Sequence, residues 1–146
     1  MKRAAIRFAT LMLVPALILL VSGVSSADPL PIMNVTVVKG SVFKAVNHDG
    51  DPGQTWVFVL TTTTPKKIAS VDMQLYKGAA SASSDQVCAP IPGQTFAQVL
   101  SFRVKGNQLR DGSETVTTTV GDSVSCVRLV LTGSTGATVS AEISHA

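Results

Sequence analysis

From residue 32 onward, apolar and polar positions alternate over short stretches bounded by Gly, Pro, Asn or Asp, and none keeps a helical spacing. This pattern predicts eight β-strands, over residues 32–38, 41–46, 55–62, 68–76, 96–104, 114–120, 123–131 and 137–144. Val and Thr crowd these segments because β-branched side chains suit a pleated surface and lose rotamer freedom in a helix. Val71, Met73 and Leu75 alternate with Ser70, Asp72 and Gln74, which gives one dry face and one wet face. Ala137, Val139, Ala141 and Ile143 alternate in the same way with Thr138, Ser140 and Glu142. Trp56, Phe58 and Leu60 lie on one face of their strand and Val57 and Val59 on the other, so this strand should be central and Trp56 a core residue. The expected fold is all-β: an antiparallel β-sandwich of immunoglobulin-like architecture.

The turns add local detail. Gly121 and Asp122 separate two strands by two residues and predict a hairpin, and Asp111-Gly112-Ser113-Glu114 reads as a second hairpin turn. Residues 64–67 separate two further strands, and Gly133 with Gly136 opens the last one. Residues 77–91 lack periodicity and read as a long crossing loop. Pro52-Gly53-Gln54-Thr55 recurs as Pro92-Gly93-Gln94-Thr95, each time a type II turn feeding a strand that starts with an aromatic residue. A duplicated half-sandwich would produce that repeat, and so would independent use of a good turn.

The first 27 residues change the reading of the charge. Lys2, Arg3 and Arg7 precede an apolar run from Phe8 to Val24, and Ser25, Ser26 and Ala27 supply a small-residue cleavage site. We read residues 1–27 as a signal peptide and 28–146 as one domain, secreted or periplasmic. An uncleaved anchor is the rival, opposed by Pro15 and by the polar, Pro-rich sequence that follows. Without the leader, the remaining Lys and Arg equal the nine Asp and Glu in number. A neutral domain is expected to lack the clustered cationic face that nucleic acid or anionic lipid requires, and no membrane insertion is expected after cleavage.

Export also sets the expectation for Cys88 and Cys126, an even pair in an oxidising space, which reads as one structural disulfide. Trp56 precedes both cysteines, whereas a true immunoglobulin domain has its core Trp between them, so the likeness is one of architecture only.

Candidate chemistry is sparse. His48 sits in a Gly/Asp/Pro-rich stretch read as a loop, and His145, near the chain end, is expected to fray. No GxSxG, HExxH, P-loop or dinucleotide fingerprint is present, so no enzyme and no cofactor are expected. Asn47, His48, Asp49 and Asp51 form the densest polar cluster. Their alternating oxygens suggest a calcium loop, but Pro52 and Phe58 occupy positions that need Gly and Glu, which excludes an EF-hand; the cluster reads as a solvated turn and a candidate binding loop with no metal expected, a looser calcium site being the alternative. Asn34-Val35-Thr36 is a formal glycosylation sequon within a predicted strand, and no glycan is expected there.

Two functions fit such a domain. One is an extracytoplasmic binding or accessory module for a protein or glycan partner, using the 39–44 edge, the 47–51 loop or the 77–91 loop. The other is a structural subunit of a surface assembly, in which residues 32–38 exchange as a strand with a neighbouring copy. The sequence does not set the oligomeric state.

Overall fold

In the computed structural model, residues 32–81 and 87–146 are described; the leader predicted over 1–27 and its cleavage point lie outside them. The eight predicted strands form: β1 (Ile32–Thr36), β2 (Ser41–Gly50), β3 (Thr55–Thr61), β4 (Ile68–Gly78), β5 (Phe96–Lys105), β6 (Ser113–Thr119), β7 (Val124–Gly133) and β8 (Thr138–His145). One 3₁₀ turn, Pro65–Lys67, precedes β4, with Pro supplying the fixed φ of its first turn.

Two four-stranded antiparallel sheets pack face to face, ordered β1-β8-β3-β6 and β2-β7-β4-β5. Consecutive strands lie in opposite sheets everywhere except β4 and β5, which is the strand order of a jelly roll. The immunoglobulin likeness therefore holds for the two-layer antiparallel architecture and not for the order of pairing.

The core follows the predicted alternation. Trp56, Phe58 and Leu60 from one sheet meet Met73, Leu75 and Leu129 from the other, all fully buried. Phe58 and Phe102 make an edge-to-face contact between the sheets, ring centroids 5.1 Å apart. Each such side chain taken fully out of water stabilises the fold by about 1.5–3 kcal/mol. β3 lies between β8 and β6, the central place expected of it, while Val57 and Val59 on its outer face are half-buried.

Three local expectations are corrected. The first is the crossing loop read over 77–91: Lys77 and Gly78 belong to β4, which pairs with β5 in the same sheet, so that connection does not cross. β6 pairs with β3 and β7 pairs with β2 and β4, so Gly121 and Asp122 carry the chain across to the other sheet and form no hairpin. The Asp111–Glu114 stretch likewise crosses between sheets, with Gly112 at φ 87°. Turn residues dictate a reversal, but the partner strand is chosen by which apolar faces must meet.

The repeated Pro-Gly-Gln-Thr segments form the predicted turns: Gly53 and Gly93 have φ of 86° and 83°, and Gln54 N and Gln94 N donate back to Asp51 O and Ile91 O. They lead into β3 and β5, two strands apart, whereas the fold itself repeats after four. The shared feature is thus the turn, in different structural settings.

Candidate binding surfaces

Cys88 and Cys126 are joined by a disulfide, which holds Cys88 against the outer face of β7. Cys88 takes φ 64°, a left-handed conformation unusual for a residue with a side chain.

The predicted cluster Asn47, His48, Asp49 and Asp51 does not form one loop. Asn47, His48 and Asp49 belong to β2, where Asn47 pairs with Cys126 before a bulge ends the regular register at Gly50. Asn47, Asp49 and Asp51 are exposed, whereas His48 is half-buried and packs on Trp56. His145 does not fray: it is in β8, directly opposite Trp56, and Ala146 exchanges two backbone hydrogen bonds with Thr55. The rings of His48, His145 and Trp56 touch one another, with centroids 4.7–5.3 Å apart. Among the described residues, no group of three or more His, Cys, Asp or Glu is arranged to hold a metal ion.

The outer face of β2-β7-β4-β5 was not singled out by the sequence. Strand register places Phe43, Val130, Asp72 and Arg103 in one row across it, and Ala45, Arg128, Gln74 and Ser101 in the next. Phe43 is 58% exposed, and the Arg128 guanidinium lies over its ring, 4.2 Å from the centroid. Arg128 Nε is buried with no hydrogen-bond partner among the described residues. Asp72 accepts from Arg103 Nε at 2.6 Å, and that hydrogen bond and charge hold the guanidinium pKa above its ordinary range. Tyr76 and Phe96 stack nearly parallel, centroids 5.1 Å apart, while the Tyr76 hydroxyl donates to Gln74 Oε1 at 3.1 Å. The signal was available: odd-numbered apolar residues on β2 should face inward only if Val42 and Val46 do not, and one strand cannot bury both sets.

Charge is also less even than the overall balance suggests. Because successive strands run in opposite directions, the first, third, fifth and seventh connections lie at one end, and hydrogen bonds tie them together: Val37 N to Ala137 O (2.8 Å), Ser134 N to Lys67 O (2.9 Å) and Thr62 N to Gly112 O (2.8 Å). Lys39, Lys66, Lys67, Lys105 and Arg110 all belong to this end, with Asp111 as the acid in these loops. Asp49, Asp51 and Asp122 lie at the opposite end, where Lys77 pairs with Asp122 at 3.3 Å. Topology thus brings to one end cations that the sequence disperses, within a balanced overall charge. Connection parity alone, applied to the predicted strands, would have found it.

On the outer face of the other sheet, Asn34 is exposed on β1 beside a cleft of about 370 Å³ lined largely by Thr and Ser. Among the described residues no helix is long and apolar enough to cross a membrane. No protein-family model matches the chain, and no curated protein matches it in sequence.

Proposed function

We propose that this chain is an exported, non-enzymatic binding module, acting as a free domain outside the cytoplasm and meeting its partner through the outer face of β2-β7-β4-β5. The carrying observation is Phe43, an exposed aromatic ring with the Arg128 guanidinium over it, on a face that also carries Asp72, Arg103 and Gln74. Aromatic and Arg side chains on a rigid surface are the usual anchors of recognition, because they offer large contact area with little entropy left to lose. The leader-like N-terminal segment and the disulfide support export.

Assembly by strand exchange has less support. β1 is already paired along its length with β8 of its own chain. The other edges carry features that discourage pairing: Lys44 on the inward-facing phase of β2, Glu114 on that of β6, and a bulge in β5.

A photo-crosslinking residue placed at position 43 in the exporting cell tests the reading, with position 57 on the other sheet as the control. Adducts at 43 and not at 57 are expected. Equal labelling at both, or none at either, would contradict it.

A further inference from the structure

We infer that the cationic end of the sandwich holds a second binding site, a cleft for an acidic saccharide bearing carboxylate or sulfate groups. The inference rests on the binding-module reading only in placing the ligand outside the cytoplasm.

The cleft has a volume of about 430 Å³ and is lined by Pro65, Lys66, Ile68, Gly106, Asn107 and Arg110. Its two cations come from different connections, Lys66 from β3–β4 and Arg110 from β5–β6. Neither makes an ion pair among the described residues, nor do Lys39, Lys67 and Lys105 around them. A cluster of unpaired cations raises the local potential and draws in an anion, and a guanidinium matches a carboxylate or sulfate with two parallel hydrogen bonds.

The walls are built before any ligand arrives. Lys67 N donates to Thr64 O at 3.0 Å, and Thr64 N donates to Thr62 Oγ1 at 2.9 Å. Across the cleft, Gln108 N, Leu109 N and Gly112 N each donate to the carbonyl three residues earlier, and Leu109 is fully buried beneath them. Gly106 N is bonded to Ala69 O at 3.0 Å, and a Cβ at Gly106 would collide with Ile68 O. Loops this constrained leave little ordering cost to binding.

The mixture of side chains favours sugar over other anions. The Pro65 ring offers an apolar edge, with the buried Ile68 beneath it as the floor, Asn107 offers an amide to hydroxyls, and Lys66 and Arg110 the counter-charge, in a volume suited to one or two rings. Single-stranded nucleic acid would call for aromatic side chains on which bases stack, and the cleft has none. At this end Val38 is the large apolar side chain most exposed among the described residues, at 76%, too little to anchor in a bilayer.

The test is a titration of the exported, disulfide-bonded chain with polygalacturonate, dextran sulfate, neutral dextran and phosphatidylglycerol vesicles. We expect binding to at least one anionic polysaccharide, none to neutral dextran, and a loss of about tenfold or more between low and physiological salt. Lys66→Glu and Arg110→Glu should each weaken binding about tenfold, Arg110→Gln less, and Lys77→Glu at the opposite end not at all, with melting temperatures showing that each variant is folded. No binding to either polyanion, equal binding to neutral dextran, or unchanged binding in the Lys66 and Arg110 variants would overturn the site. Stronger binding to vesicles than to either polysaccharide would overturn it in favour of a lipid surface. If the polyanions fail while position 43 still crosslinks, this site falls and the binding-module reading stands.

Discussion

His145 lies across the β3–β8 pairing from Trp56, ring centroids 4.7 Å apart, and His48 closes on both from the opposite sheet. The three rings plug one end of the sandwich where β2, β3 and β8 converge. The two histidines thus cover the single tryptophan through aromatic contacts.

Replacing His145 should uncover that indole. His145→Ala is expected to shift Trp56 emission to longer wavelength and to cost about 1 kcal/mol of stability, the worth of one aromatic pair. Fluorescence and a denaturant melt measure both effects. Unchanged emission would mean that the plug is not closed in solution.

Gly50 and Gly53 separate crowding from backbone conformation. A Cβ at Gly50 would run into the Trp56 indole, whereas one at Gly53 meets nothing within 4 Å and faces only its φ of 86°. Overpacking costs about 1–3 kcal/mol, and a left-handed non-Gly residue about 1–2 kcal/mol. Gly50→Ala should therefore destabilise at least as much as Gly53→Ala and also perturb Trp56 emission, which Gly53→Ala should leave alone.

The disulfide closes a loop with a sequence separation of 38. On the chain-entropy account, replacing Cys88 and Cys126 together by Ser should cost about 4 kcal/mol. Equilibrium unfolding of that double variant against the oxidised chain gives the figure directly. A loss below about 1 kcal/mol would contradict the chain-entropy account.

The strands were legible in the sequence because alternation of buried and exposed positions is a local property. Trp56, Phe58 and Leu60 revealed both their own burial and the central place of β3. Pairing was not legible at Gly121-Asp122, since a two-residue turn fits either a hairpin or a crossing between sheets. His48 was misplaced for a related reason: Asn, Asp and Gly around it favour a turn, but pairing of β2 with β7 extends the strand through them. Phe43 and Arg128 are far apart in sequence and meet only through that register, whereas the β4–β5 pairing brings the connections carrying Lys66 and Arg110 to the same cleft.

The central claim is that every strand serves its own chain, leaving a free module with its faces and ends available. Sedimentation velocity of the disulfide-bonded chain over a wide concentration range tests it most directly. The account predicts a single monomer species at all concentrations, and association only when Lys44→Val or Glu114→Val removes a charge from an edge. A concentration-dependent ladder from the unaltered chain, abolished by deleting residues 28–38, would contradict it and show that β1 belongs to a neighbour.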